Sequence, residues 1–321
     1  VAILVAGGAG FVGTSLVNGL LARGNSIIVI DNFARGADSN LEDGKRSGRL
    51  QVVEGDAADL ASLRAVVRQH VEPGKITEVW HLAANSDIPA GIADARIDLQ
   101  DTFMTTFSLL ELMQEIDARR MFFASSSAIY GDLGRRILTE DVGPLFPISN
   151  YGAMKLASEA LITAAAEKFL ERAVLFRFPN VVGVPATHGV LLDFIRRLKV
   201  DRTRLKVLGD GTQQKSYLHV SDLIEAMLLV EASSSVKVEA INIGPTDQGI
   251  TVRQIAEETV SVVAPGASIE FGQGNKGWVG DVPRFEYSTA KIQNLGWKPA
   301  LDSLGAIRLA VRQIAEQENA I

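Results

Sequence analysis

The 321-residue chain contains no cysteine, which excludes disulfides, thiolate zinc sites and a cysteine nucleophile. Histidine is scarce. His70, His81, His188 and His219 are scattered, without the spacing of an HExxH-type metal site, so no metal is expected. No apolar run approaches the roughly 18 residues that a membrane helix needs. The sequence starts inside a strand-like run with no targeting segment in view, so the expectation is a cytoplasmic protein without membrane attachment. Basic residues do not dominate: the net charge is −6, which argues against a general nucleic-acid binder and leaves room only for a local basic pocket. What remains is an ordinary globular composition, 47% hydrophobic and 22% charged. That content supports one large domain or two that share a core.

Up to Arg177, strand and helix patterns alternate. The segments "VAILVAG", "SIIVID", "LQVVEGD", "ITEVWHLAA", "RRMFFASSS" and "RAVLFRF" are continuous apolar strands. Between them, "FVGTSLVNGLLARG", "LASLRAVVRQHV", "LQDTFMTTFSLLELMQEI" and "NYGAMKLASEALITAAAEKFL" have helical periodicity. Apolar strands separated by helices predict an α/β fold, a doubly wound parallel sheet covered on both faces. After Phe178 the pattern becomes mixed, with helices near 190–199, 221–231, 251–263 and 301–317. "VEAINIG" reads as a strand that rejoins the main sheet. The predicted organisation is a Rossmann domain over 1–177, rejoined by segments near 215–245, and a smaller C-terminal α/β lobe over 178–321.

Gly8, Gly10 and Gly13 form a G-x-G-x-x-G loop directly after the first strand and before a helix. Glycines let the backbone turn tightly against a pyrophosphate, and the helix N-terminus offers free N–H groups to it. Asp31 closes the second strand eighteen residues after Gly13, where a carboxylate accepts from both ribose hydroxyls of an adenosine. The same charge repels a 2′-phosphate, so NAD is favoured over NADP, although Arg35 stands close by. Asp56, in "GDAAD", either contacts the adenine amino group or caps the helix that follows. Leu82, Ala83 and Ala84 end the fourth strand with small side chains that let backbone approach a cofactor.

Tyr151 and Lys155, in "SNYGAMK", lie one helical turn apart. The pair alone is a weak motif. Set with "GGAGFVG", "DNFARG", "GDAAD", "HLAA", "SSSAIYG", "RFPNVVG", "GDGTQQKSYLHVSD" and "GDVP", in that order, it resembles the extended short-chain dehydrogenases/reductases. The likeness is to their NAD-dependent nucleotide-sugar epimerase/dehydratase branch and runs end to end. It implies a Rossmann fold binding NAD, a UDP-sugar or other nucleotide-sugar substrate, 4-epimerase chemistry and a homodimer. It assigns Tyr151 as base, Lys155 as its electrostatic support and hold on the nicotinamide ribose, and a hydroxyl residue four before Tyr130. That residue is Ser126, with Ser127 as the alternative. A phenol with pKa near ~10 must fall by ~3 units, about 4 kcal/mol, to act at neutral pH, and an ammonium one turn away together with the positive nicotinamide of NAD⁺ is suited to lower it.

The resemblance also implies cofactor contacts from Gly7, Gly10, Phe11, Val12, Asp31, Asn32, Asp56, Ala57, Leu82, Ala83, Ala84 and Phe178. For the substrate it implies Ser126, Ser127, Tyr151, Asn180, Lys215, Lys276 and Asp281. Several positions depart from the pattern: Thr102 for Asn, Lys215 for Arg, Val182 for Tyr, Met154 for Ser and Trp278 for a phosphate-binding Arg. Phe285 is bulky beside the sugar position and favours plain hexoses. Dehydratase relatives carry an Asp-Glu pair after the hydroxyl residue; Ser127 and Ala128 stand there instead and cannot move those protons. Reversible oxidation at C4 therefore leads. Dehydratase or reductase chemistry of the same family and a non-catalytic NAD-binding regulator are the alternatives.

Overall fold

A computed structural model describes residues 2–70, 75–134, 136–274 and 286–321. Lys276, Trp278, Asp281 and Phe285 lie outside the described residues. The chain forms two compact units. The first comprises Val1–Gly131, Leu145–Arg177 and Met227–Ile241; the second comprises Asp132–Pro144, Phe178–Ala226 and Asn242–Ile321. The excursion of Asp132–Pro144 has no mark in the hydrophobic pattern.

The first unit is built on seven strands: β1 (Ala2–Ala6), β2 (Ser26–Asp31), β3 (Leu50–Glu54), β4 (Ile76–His81), β5 (Arg120–Ala124), β6 (Arg172–Arg177) and β7 (Val238–Asn242). Their order is β7-β6-β5-β4-β1-β2-β3, and the ladders joining β3 through β6 are all parallel. Buried on both faces, β1, β2, β4, β5 and β6 have no need of alternation, which is why they read as apolar runs. The chain winds outward from β1 to β3 and then returns to β4 on the opposite side of β1. That reversal opens a crevice beyond the carboxyl ends of β1 and β4, where doubly wound sheets take their ligands.

Among the helices that cover this sheet are α1 (Phe11–Ala22), α2 (Leu60–His70), α3 (Thr105–Ile116) and α4 (Asn150–Lys168). One core joins Leu4, Ile28, Ile30, Leu109, Met113, Met121, Phe123 and Ile162. On the other face Trp80, Phe122 and Phe176 are fully buried and stacked, with centroids 4.4 Å apart for Trp80–Phe122 and 5.9 Å for Trp80–Phe176. Such pairs add about 0.5–1.5 kcal/mol each beyond burial. The helix expected to begin at Leu99 starts instead with a widened π turn over Leu99–Met104 and becomes α-helical at Thr105. Thr105 and Thr102 account for part of this, since the Thr105 hydroxyl donates to the Thr102 carbonyl at 2.8 Å and competes with the regular ladder.

The second unit packs α5 (Val190–Val200), α6 (Val252–Val263) and α7 (Ser303–Gln317) around Leu191, Ile195, Leu198, Ile255, Ile307 and Val311. Four two-stranded sheets surround this core. Strand Asn180–Val182 pairs in parallel with Tyr217–His219, and Arg204–Val207 with Ser268–Phe271. Val182 is buried in that core.

Candidate active site

The glycine loop is fixed by steric necessity. Gly7 has φ +80°, and a Cβ there would lie 2.6 Å from the Ala83 nitrogen, so only glycine allows β1 and the end of β4 to meet. A Cβ on Gly13 would reach 2.1 Å from the Gly7 carbonyl. Leu82 and Ala83 both donate backbone N–H to the Ala6 carbonyl, at 2.8 and 3.0 Å, which holds the Leu82–Ala84 run against the loop. At Gly10, by contrast, a Cβ would meet only the Gly7 carbonyl at 3.5 Å, and α1 opens with no side chain capping it. An uncapped helix end beside a bare backbone fits an anionic pyrophosphate.

Asp31, buried at the end of β2, accepts from Ala9 N at 2.9 Å and from Phe33 N at 2.9 Å. Burial raises its carboxyl above the usual range, and these two backbone bonds pull it back. Each oxygen keeps a further lone pair, so the carboxylate is oriented by the loop and still able to accept from a diol. The "DNFARG" segment is itself tied to the loop: Asn40 Nδ2 donates to the Ala9 carbonyl at 2.9 Å, and a Cβ on Gly36 would lie 2.5 Å from that same carbonyl. Arg35, the residue suited to a 2′-phosphate, is engaged by Asp87 at 2.5 Å. Asp56 accepts from Ala58 N at 2.8 Å, so it stabilises its own turn, and Asn32 does the same with Ala34 N at 3.1 Å. Phe11 and Val12 occupy the first turn of α1, and Ala57 is buried in the first unit's core.

The serine segment leaves β5 as a short 3-10 turn, Ser127–Tyr130, capped by Ser126, whose Oγ accepts from Ala128 N at 3.1 Å. The Ser126 side chain lies close enough to the Tyr151 hydroxyl to favour its ionised form. Ser125 is buried and donates to Glu159 Oε1 at 2.5 Å. The three serines thus separate by geometry: Ser126 faces the tyrosine, Ser125 faces the interior, and Ser127 begins the turn. Tyr151 sits in the first turn of α4, which is capped by Ser149 accepting from Gly152 N at 3.1 Å. A helix N-terminus favours a phenolate there. Gly152 is small because the serine loop needs the space: a Cβ would stand 2.4 Å from the Ala128 carbonyl. The neighbour that requires this glycine is therefore protein backbone.

The electrostatics differ from expectation. Burial pushes the Tyr151 phenol up to about 12; the nearby Ser126 side chain opposes this and the Asp98 charge adds to it. Lys155 is buried, donates to the Ala124 carbonyl at 2.7 Å, and lies 5.8 Å from the centre of the Tyr151 ring and 4.6 Å from that of Phe123. Desolvation lowers its ammonium to about 7, with Glu159 opposing. In the protein alone this amine is held by a carbonyl, and its charge is not among the causes that move the phenol. His81, at the end of β4, is held neutral by burial and then by Lys155; its Nε2 pairs with Thr106 Oγ1 at 2.9 Å, and Thr106 donates to Ser158 Oγ at 2.9 Å.

Residues that the motif reading missed complete the site. Glu159 binds Arg177 through two bonds of 3.0 and 2.7 Å, and Arg177 donates to the Tyr130 hydroxyl at 3.1 Å. The signal was present: Tyr151, Lys155 and Glu159 recur every fourth residue on one face of α4. Asn85 and Asp98, both buried, share a 2.8 Å bond, and Thr102 Oγ1 accepts from Asn85 N at 3.1 Å. Thr102 is fully buried and holds the Asn85 backbone. Asn180 and Lys215 belong to the second unit, where Asn180 Nδ2 reaches the Ser216 carbonyl at 3.4 Å and Gln214–Lys215 pairs antiparallel with Ile250–Thr251. Phe178 opens that unit's second segment. No helix among the described residues is long and apolar enough to cross a membrane.

A parallel sheet with a glycine loop at its switch point, and a Ser-Tyr-Lys cluster beside it, define a dinucleotide-dependent short-chain dehydrogenase-like protein. Residues 3–244 match the model of the NAD dependent epimerase/dehydratase family, and the chain belongs to that family. It is 30% identical to the UDP-glucose 4-epimerase of Corynebacterium glutamicum, over 95% of this chain and 93% of that one. Among solved structures it is similar to Thermus thermophilus UDP-glucose 4-epimerase in complex with NAD (27% identity, TM-score 0.84, 98% and 99% of the two chains covered). It is also similar to Thermotoga maritima UDP-glucose 4-epimerase with UDP-glucose (26% identity, TM-score 0.83, 99% and 100% covered).

Proposed function

We propose that the protein is an NAD-dependent UDP-hexose 4-epimerase, with Tyr151 as general base and acid, Ser126 as the hydroxyl that holds the reacting oxygen, and Lys155 as the residue that fixes the cofactor ribose. The observation that carries this reading is the grouping of the three side chains: the Tyr151 ring lies 5.8 Å from the buried Lys155 amine, with Ser126 close enough to its hydroxyl to favour the ionised form. NAD would be held by Gly7, Gly10, Phe11 and Val12 at its pyrophosphate, by Asp31 and Asn32 at the adenosine ribose, by Asp56 and Ala57 near the adenine, and along Leu82–Ala84. When bound it supplies a cationic ring that takes a hydride from C4 and returns it.

Tyr151 in its phenolate form takes the proton of the sugar 4-hydroxyl and later returns it to the oxygen at C4. Ser126 donates to that oxygen and keeps it within reach of the tyrosine through both half-reactions. Lys155, anchored on the Ala124 carbonyl, turns a donor toward the ribose without leaving the helix face. Because the Tyr151 phenol stands at about 12 in the protein alone, a positive group must enter beside it before it can act as a base near neutral pH. The acid and base needed for dehydration have no counterpart at Ser127 and Ala128, which favours epimerisation.

Incubation with UDP-glucose and with UDP-galactose, followed by chromatography of the sugars, tests this reading. Interconversion of the two without net consumption of added NADH is the expected result. Stoichiometric NADH consumption would assign a reductase, and no turnover of any UDP-hexose would reject the epimerase. The reading includes a homodimer, which light scattering on the purified protein checks.

A further inference from the structure

Glu159 and Arg177 join a helix to a strand, and both also bind the short turn that carries Ser126. Ser125, buried just before it, donates its hydroxyl to Glu159 Oε1 at 2.5 Å. At the far end of the turn the fully buried Tyr130 accepts from Arg177 Nη1 at 3.1 Å, and the guanidinium lies 5.3 Å from the centre of its ring. Glu159 closes the circuit by accepting from Arg177 Nε and Nη2. Ser126 therefore sits in a loop whose entry and exit are both fixed to one buried ion pair.

Within that loop the Ser126 Oγ accepts from Ala128 N at 3.1 Å. The turn packs on α4, where a Cβ on Gly152 would stand 2.4 Å from the Ala128 carbonyl. Gly152 follows Tyr151 directly, and Glu159 lies eight residues beyond Tyr151 on the same helix, about 12 Å along its axis. One rigid helix thus carries both the tyrosine and the carboxylate that anchors the serine's neighbour. Stability alone does not call for such a pair, since a buried ion pair gains little or nothing over apolar side chains of the same size. What a carboxylate and a guanidinium add is direction. Glu159 accepts from one serine hydroxyl and two N–H groups at once, and Arg177 gives a further donor to a phenol. Such bonds have preferred lengths and angles that apolar packing does not supply.

We infer that Glu159 and Arg177 are positioning residues for the Ser126 hydroxyl: by holding Ser125 and Tyr130, the two ends of its turn, they set its place relative to Tyr151. The inference rests on Ser126 acting in the reaction proposed above. Neither member of the pair is called on to touch the sugar. Both act through the turn, so their effect on turnover must vanish when the Ser126 hydroxyl is absent.

Glu159→Leu with Arg177→Met replaces the pair by apolar side chains and so separates packing from positioning. Once urea unfolding has shown it to be folded, this variant should lose at least about 10-fold in kcat for UDP-hexose interconversion, with KM within about 3-fold. Ser125→Ala with Tyr130→Phe leaves the pair intact, cuts both of its ties to the turn, and should also lose about 10-fold; it decides alone if the first variant does not fold. In a Ser126→Ala background the same substitutions should cost less than about 2-fold. Unchanged kcat in either folded variant would overturn the proposal. So would an undiminished loss without the Ser126 hydroxyl, which would show that the pair acts on Tyr151 or Lys155 through α4. A parent protein with no turnover rejects the proposed function instead, and the turn is then read directly. The Ala128 amide, which donates to Ser126 Oγ, should exchange its hydrogen at least about 10-fold faster in Ser125→Ala with Tyr130→Phe, followed by mass spectrometry on the full-length protein. An unchanged rate would overturn the inference.

Discussion

Arg177, at the end of β6, grips Glu159 on α4 through two hydrogen bonds of 3.0 and 2.7 Å, and both side chains are all but sealed from solvent, at 8% and 5% exposure. The pair joins the sheet to the helix that carries Tyr151 and Lys155. Its burial separates it from surface ion pairs worth under ~1 kcal/mol. Glu159→Gln leaves Arg177 with an uncompensated charge and Ser125 with a weaker acceptor, and should cost about 3–5 kcal/mol in urea unfolding. Glu159→Leu combined with Arg177→Met should recover part of that loss. A single substitution that costs less than ~1 kcal/mol would show that the pair does not hold α4 in place.

Tyr151→Phe keeps the ring and removes only the hydroxyl beside Ser126. The variant should unfold within about 1 kcal/mol of the parent and lose about 10²–10⁴-fold in kcat for UDP-hexose interconversion. Ser126→Ala should lose about 10²-fold or more, whereas Ser127→Ala should stay within a few-fold. Steady-state assays on the three variants decide whether the serine that meets the tyrosine is the one that matters.

Lys155 gives a prediction for stability against pH. Its ammonium stands at about 7 when folded, against an ordinary value near 10.5, so between those two values the unfolded chain binds more protons than the folded one. Stability must then rise with pH across this window; below about 7 both states are protonated and the full burial penalty applies. From pH 7 to 9 the parent should gain about 2 kcal/mol relative to Lys155→Met, measured by urea unfolding at each pH. A flat difference between the two proteins would mean that the buried amine keeps its ordinary pKa.

Gly152→Ala sets two effects in opposition. Alanine favours the helix by about 1 kcal/mol, but its Cβ would fall 2.4 Å from the Ala128 carbonyl, a backbone atom that cannot rotate aside. Overpacking of that kind costs about 1–3 kcal/mol, and it acts on the loop that positions Ser126. Activity should therefore fall by at least ~10-fold while the melting temperature changes by only a few degrees. Full activity in this variant would show that the serine loop tolerates displacement.

Much of this was legible from the chain alone. The Gly8–Gly13 loop, Asp31 and the Tyr151–Lys155 pair announce themselves because each depends on spacing along one element, and a strand, a turn or one face of a helix has a fixed period. Most of the seven-stranded sheet follows from apolar runs that have no need to alternate. Distances across elements are different, because no local period encodes them. The sequence offered three adjacent serines and an argument by likeness for one of them; only the folded chain turned Ser126 to Tyr151 and Ser125 to Glu159. It also offered Lys155, together with a cofactor's positive ring, as the charge that lowers the phenol. Tertiary burial placed that amine on the Ala124 carbonyl and pushed its pKa down to about 7, and set Asp98, fifty-three residues before Tyr151 in the chain, as a charge that adds to burial in raising the phenol. Residue types and their spacing thus determined the chemistry available. Desolvation, a property of the whole fold, decided the charge each group carries.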